Sequence, residues 1–178
     1  MTRSLNAFGL ISLTVILLIA GVIYFMKEDV PTLYINELMA NNTLCCPDKQ
    51  GDKDEYDDWV EIYNPGDSPV DIGGMYVSQD KDNPLGYQIP KTNAALTTIP
   101  PKGHLLLWAD GSTEQGELHL KFKLNQQGEY FGLNYEDGRK IDGVKFSRQS
   151  ENFSYGRATD GASEWKVFSI PTPGKSNQ

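Results

Sequence analysis

The chain has 178 residues, 16 Lys and Arg against 24 Asp and Glu, a formal net charge of −8 and two cysteines. That charge excludes a free basic nucleic-acid binder, and a chain of this length needs no disulfide staples to fold. Hydrophobic residues at 39%, with nine Tyr, seven Phe and three Trp, exclude an acidic disordered chain, while seventeen Gly and ten Pro spread along the sequence exclude a helical bundle.

In chain order, the first feature is the uncharged run AFGLISLTVILLIAGVIYFM at 7–26. It matches the roughly 30 Å bilayer core at helical rise, which predicts one transmembrane helix. The alternative is a cleaved signal peptide, whose apolar stretch runs about 7–15 residues and ends at a small-residue site. Here Ala20-Gly21 sits inside the run, and the large Val22, Ile23, Tyr24 and Phe25 follow it. Arg3 and the amino terminus precede the helix, and Lys27, Glu28 and Asp29 follow it. Positive-inside bias then places residues 1–6 in the cytoplasm and the carboxyl-terminal domain outside. The run carries no ionisable residue suited to an ion path, so it reads as a tether. A short linker, 27–32, leads to a domain at 33–177. The part from Val30 onward holds the whole charge of −8, because Arg3 and Lys27 cancel Glu28 and Asp29.

From Leu33 the chain reads as short apolar or alternating runs: LYINELM, WVEIYN, MYVS, YQIP, HLLLWA, FKL, YFGLN, IDGVKF, FSYGR and WKVF. Turn chemistry separates them, including Asn64-Pro65-Gly66, Gly73-Gly74, Pro100-Pro101-Lys102-Gly103 and Asp137-Gly138. Strands spaced about 8–12 residues apart predict an all-β sandwich. Within WVEIYN, period-two alternation points Val60 and Ile62 to the core and puts Trp59, Glu61 and Tyr63 on the opposite face. HLLLWA is apolar from Leu105 to Ala109, which predicts a central strand or one covered on both faces. Asn134 to Arg139 reads as a hairpin tip.

In order along the chain, Ile35-Asn36-Glu37, Asp57-Asp58-Trp59-Val60-Glu61-Ile62-Tyr63-Asn64-Pro65, Val70-Asp71-Ile72-Gly73-Gly74, Ile99-Pro100-Pro101-Lys102-Gly103, Tyr155-Gly156-Arg157 and Pro171-Thr172-Pro173-Gly174-Lys175-Ser176-Asn177 resemble the lamin tail domain family. The resemblance covers about Leu33 to Asn177 and implies an immunoglobulin-like β-sandwich. Glu37, Glu61 and Arg157 are charges within a core-like pattern, so each is either an ion pair fixing neighbouring elements or part of a solvated face. No heptad rod or basic import run is present and the last residues are Ser176-Asn177-Gln178, so a nuclear lamina role does not carry over. The tether is similar to that of bacterial envelope members, whose domain often accompanies secreted hydrolases.

Catalytic chemistry has little support. The bases on offer are His104 and His119, each read as an isolated strand-end imidazole, and no Gly-x-Ser-x-Gly, Walker, dinucleotide or His-x-Glu signature appears. Cys45 and Cys46 are adjacent; a bridge between them distorts the peptide that joins them, so both are expected free or paired with another molecule, and zinc there is not expected. Six carboxylates between Asp48 and Asp58 make Asp52, Asp54 and Asp58 candidate calcium ligands, against a solvated acidic loop with intruding Lys49 and Lys53. Asp80 and Asp82 form a weaker cluster. Lys121, Lys123, Arg139, Lys140, Lys145 and Arg148 are the only local excess of positive charge, and nucleic acid is not expected as a partner.

The expectation is therefore a non-enzymatic, single-pass membrane protein of the cell envelope that binds a protein partner through exposed loops and needs no cofactor. The alternatives are calcium-dependent surface adhesion, with Ca2+ as the ion, an accessory role to a separate secreted hydrolase, or secretion after signal-peptide cleavage.

Overall fold

Alternating side chains force each short run to bury one face, and two sheets stacked on those faces answer that demand. The computed structural model describes residues 29–50 and 53–178. Residues 7–26, on which the expected tether falls, lie outside the described residues; among the described ones no helix is long and apolar enough to cross a membrane.

Within the unit Pro31–Gln178, the strands among the described residues are β1 Tyr34–Met39, β2 Asp48–Gln50, β3 Lys53–Glu55, β4 Asp58–Tyr63, β5 Val70–Asp71, β6 Tyr76–Ser78, β7 Tyr87–Gln88, β8 Thr98–Ile99, β9 His104–Ala109, β10 Tyr130–Asn134, β11 Lys140–Lys145, β12 Ser154–Arg157 and β13 Trp165–Phe168. A single helical turn, α1 Ala94–Thr97, capped by the Asn93 side chain, and a 3-10 turn at Thr113–Gln115 interrupt them. The larger sheet has the order β13-β12-β1-β4-β9, the second β11-β10-β6-β7, and β2-β3 and β5-β8 form two small ribbons. Neighbouring strands of both sheets run antiparallel. Ile35, Leu38, Val60, Ile62 and Leu107 of the first sheet and Val77, Phe131, Leu133 and Val144 of the second belong to one buried core, so the fold is an all-β sandwich. Val60 and Ile62 are fully buried, as alternation requires; each such side chain contributes roughly 1.5–3 kcal/mol of transfer free energy.

The back of the larger sheet is buried too, which alternation alone does not foresee. Trp59 and Glu61 are as inaccessible as Val60. Over Glu37 and Glu61 the cover is the C-terminal segment after β13. Thr172 donates its N–H and hydroxyl to Glu37, and the Gly174 N–H donates to Glu61 Oε2 at 2.6 Å. Asn177 Nδ2 donates to the carbonyls of Asn36 and Arg157 at 3.2 and 2.7 Å. Gly156 allows this closeness: a Cβ there would sit 2.9 Å from Glu37 Cγ and 3.0 Å from the Asn36 carbonyl.

Two strand expectations are corrected. HLLLWA forms β9, the last strand in the order of the larger sheet, so of its two expected placements the central one is not met. Its apolar run is explained by segment 118–120, which lies along it: Trp108 N–H donates to the Leu118 carbonyl, and Leu120 N–H to the Trp108 carbonyl, both at 2.8 Å. FKL contributes only an isolated bridge, Lys123 to Asp110.

The three charges set in apolar pattern are buried and hydrogen-bonded, not solvated. Arg157 Nη2 lies 2.8 Å from Asp142 Oδ2, Nε donates to the Ile35 carbonyl at 2.9 Å, and Nη1 donates to the Ala162 carbonyl. Its guanidinium lies 4.9 Å from the Tyr34 ring centroid and 5.0 Å from that of Trp165. Glu37 and Glu61 take neutral donors; Glu37 also accepts from the Ser154 hydroxyl, and Glu61 Oε1 from Asn36 Nδ2 at 3.1 Å.

Candidate functional site

A concavity lies where β11 ends and β12 and β13 begin the far edge of the larger sheet. Its volume is about 200 Å³, and its working residues are Lys145, Arg148, Gln149, Phe153, Tyr155 and Val167. The chain builds it in three steps. Phe146 is buried, and its N–H donates to the Glu129 carbonyl at 3.0 Å, which ends β11 against the core. Gln149, also buried, ties the connection down: its Oε1 accepts from Ala40 N–H at 2.7 Å and its own N–H donates to the Gln126 carbonyl at 2.9 Å. Asn152, at φ 62, then reverses the chain, its side chain bridging to Thr43.

Phe153, 39% exposed, enters β12 from this turn, and Tyr155 stands opposite Val167 in the β12–β13 register. Tyr155 stacks on Trp165 at 5.1 Å and is thereby held as one wall. Val167, 63% exposed, is the other. Phe153 and Val167 are thus large apolar side chains left partly in solvent at this slot.

The polar groups of the slot share one sign. Lys145 and Arg148 line it, no carboxylate does, and neither cation has an ion-pair partner among the described residues. Gln149 Nε2 is buried there with no hydrogen-bond partner among the described residues. Two cations and an unmatched N–H donor beside apolar walls are complementary to a carboxylate carried next to an apolar side chain. Lys145 and Arg148 belong to the local positive excess seen in the sequence; Phe153, Val167 and Gln149 were not singled out there.

Of the three candidate calcium ligands only Asp58 has a described side chain. The acidic run forms the β2–β3 ribbon; Asp52 and the Asp54 side chain lie outside the described residues. Asp58 opens β4, where its Oδ1 accepts from Asn42 N–H at 3.3 Å, and it belongs to no cluster of three ligating side chains among the described residues. Burial, reinforced by neighbouring Asp57, pushes its carboxyl up to about 6 against the Asn42 hydrogen bond. Asp80 is a turn former, its Oδ1 accepting from Asp82 N–H at 2.9 Å.

Cys45 and Cys46 require a correction, because they are joined in a disulfide. The expectation was that the distortion such a bridge requires would keep the thiols free or paired with another molecule, whereas Cys46 takes φ 56 in a tight bend. Asn42 holds that bend. Its Oδ1 accepts from the N–H groups of Leu44 and Cys45, and its Nδ2 donates to the carbonyls of Cys45 at 2.7 Å and Asp57 at 2.8 Å.

The two histidines are not isolated. His104 stacks on Tyr63 at 4.9 Å with Nε2 3.3 Å from Asp160 Oδ2. Burial works against ionisation of Asp160, but hydrogen bonds from Asn177 N–H and the Asn36 side chain outweigh it and hold the carboxyl below its ordinary value. His119 lies beside Asp110 on one side and Asp48 on the other.

With this geometry in place, the comparisons narrow the identity. The model of the Lamin Tail Domain family matches residues 27–148. No curated protein and no solved structure matches the chain. The match covers more than half of the chain, stopping before β12, β13 and the C-terminal segment, which complete the larger sheet. The chain belongs to the lamin tail domain family.

Proposed function

We propose that this lamin tail domain protein is a non-catalytic binding module of the cell envelope, tethered by residues 7–26 and recognising a protein segment that pairs an apolar side chain with a carboxylate. The observation that carries the reading is the groove between the end of β11 and β12–β13, where Lys145, Arg148 and the unmatched Gln149 Nε2 stand beside Phe153, Tyr155 and Val167. The edge position of β13 gives an incoming extended segment a strand to lie along while its carboxylate meets the two cations. A chain of net charge −8 repels acidic partners at long range, so a local pair of cations serves selection of one acidic group, not general attraction. The short linker 27–32 keeps the domain near the membrane and favours partners there.

The test is a photo-crosslinker placed at Val167 in the full chain in intact cells, compared with one at exposed Gln88 on β7, the edge of the other sheet. The reading expects one discrete adduct from Val167 that is absent from Gln88 and lost in Lys145→Glu/Arg148→Glu. Equal adducts from both positions, or an adduct indifferent to the charge reversals, would overturn it.

A further inference from the structure

The turn after β9 carries out an operation that the groove does not need. Asp110 follows the last residue of β9, and its Oδ1 accepts from Ser112 N–H at 2.8 Å, which folds the chain back on itself. Gly111 at φ 82, the 3-10 turn Thr113–Gln115 and Gly116 at φ 138 complete the reversal. Segment 118–120 then lies along β9, with His119 bridged to Trp108. His119 Nδ1 comes to rest 2.6 Å from Asp110 Oδ2. From the opposite side Asp48, the first residue of β2, brings its Oδ2 to 3.7 Å from His119 Nε2. The three side chains are 3–10% exposed, and one ligand atom from each lies within 4.8 Å of the others.

The chemistry of this trio is directional. An ionised Asp110 can only accept, so the short contact is a donation from His119 Nδ1, and it turns Nε2 toward Asp48. A separation of 3.7 Å is too long for a hydrogen bond between Nε2 and the carboxylate. It is close to the spacing of two ligands on one tetrahedral ion, about 3.4 Å when both bonds are about 2.1 Å. The carboxylate–imidazole order matches that by which proteins fix a metal-bound histidine.

A second observation comes from the cleft that Asp48 and His119 line. It holds about 240 Å³ and is lined by Asp48, His119 and Gln115 together. Gln115 Oε1 is buried with no hydrogen-bond partner among the described residues. A carbonyl oxygen without a donor, lining the same cleft as a carboxylate and an imidazole nitrogen, is an acceptor that a cation can satisfy.

We infer that Asp48, His119 and Gln115 form a site for a divalent transition-metal ion of the zinc type, with Asp110 as the residue that positions the His119 ring. One imidazole nitrogen and two oxygens, with no thiolate, suit zinc and its first-row neighbours; calcium and magnesium take oxygen alone, and copper(I) takes sulfur. The ion joins the start of the β2–β3 ribbon to the turn after β9, pieces far apart in sequence. It is distinct from the calcium ligands expected at Asp52, Asp54 and Asp58, although Asp48 belongs to the same acidic run.

The experiment is calorimetric titration of the purified, chelator-treated full chain in detergent with Zn2+, the Cys45–Cys46 disulfide kept oxidised. The expected result is one saturable Zn2+ per chain, the same stoichiometry in Cys45→Ser/Cys46→Ser, and no displacement by equimolar Ca2+. Asp48→Asn and His119→Gln should each weaken binding by about 100-fold or more, and Asp110→Asn by about 10–100-fold. Gln115→Ala, in a half-exposed turn, is the variant that tests the site without threatening the core; it should bind Zn2+ more weakly with unchanged circular dichroism. Absence of saturable binding in the native chain would overturn the inference. So would binding that survives both Asp48→Asn and Gln115→Ala, or binding lost in the cysteine double variant, which would assign the ion to the thiols.

Discussion

Glu61 is a carboxylate with no ion-pair partner among the described residues, and its environment decides its charge. Burial pushes its carboxyl up to about 8, opposed by the Asn36 and Gly174 hydrogen bonds and reinforced by Glu37 and Asp160. Between the ordinary value of 4.5 and about 8 the folded protein therefore holds a proton that the unfolded chain has released. The stability contributed by Glu61 is full below about pH 4.5 and is lost as pH rises through about 8. Glu61→Gln, which keeps an acceptor and removes the charge, should flatten that decline. Thermal denaturation at pH 5 and pH 8 checks it: wild type should lose on the order of a few kcal/mol across this interval and the variant much less. Arg157 makes the opposite case, a buried cation met by Asp142, two carbonyls and two rings. Arg157→Ala leaves Asp142 buried without its cation and should cost about 3–5 kcal/mol in denaturant melts, while Arg157→Lys, lacking the planar fork, should recover little of it.

Among elements, the segment after β13 is the one whose structural role exceeds its apolar content. Pro171 and Pro173 keep it from pairing as a strand, and its hydrogen bonds go to Glu37, Glu61, Asn36, Arg157 and Asp160. Asn177→Ala removes donors from two backbone carbonyls in a buried setting and should cost about 2–3 kcal/mol, read as a lowered midpoint of unfolding. The Cys45–Cys46 bridge is the reverse. A loop closed between adjacent residues restrains almost nothing of the unfolded chain, so reduction should shift the melting temperature by no more than about 1–2 °C while moving the amide signals of residues 43–46. The strands carrying Val60, Ile62 and the 134–139 hairpin tip were legible because period two and turn chemistry are local signals. The edge position of β9 was not, because the partner that covers it is an irregular segment. The bridge was misread because the Asn42 clamp acts on Cys45 from outside the pair; an Asn three residues upstream of a tight bend was the available signal.

At the scale of the whole molecule, the order of motifs gave the family, and the family gave the sandwich; the sites are another matter. Lys145 and Arg148 stood out by charge, and FSYGR and WKVF read as strands, yet nothing local in the sequence brings Phe153, Tyr155, Val167 and the pinned Gln149 to one groove with them. The trio Asp48, Asp110 and His119 was equally hidden, because the turn after β9 and the start of the β2–β3 ribbon must come together before those residues meet. What unites the groove is a pair of cations and an N–H donor beside apolar walls on a chain of net charge −8. Such recognition combines one specific ionic contact with burial, so added salt should weaken partner binding only modestly, by the screening of about one ion pair, and not abolish it. The central claim, that this groove selects an apolar side chain next to a carboxylate, is tested most directly by displaying random peptides to the purified full chain and to its Lys145→Glu/Arg148→Glu variant. The account predicts enriched sequences in which Asp, Glu or a free C-terminus neighbours a large apolar residue, and their loss with the variant. Enrichment of the same sequences by both proteins, or of sequences without a carboxylate, would contradict it.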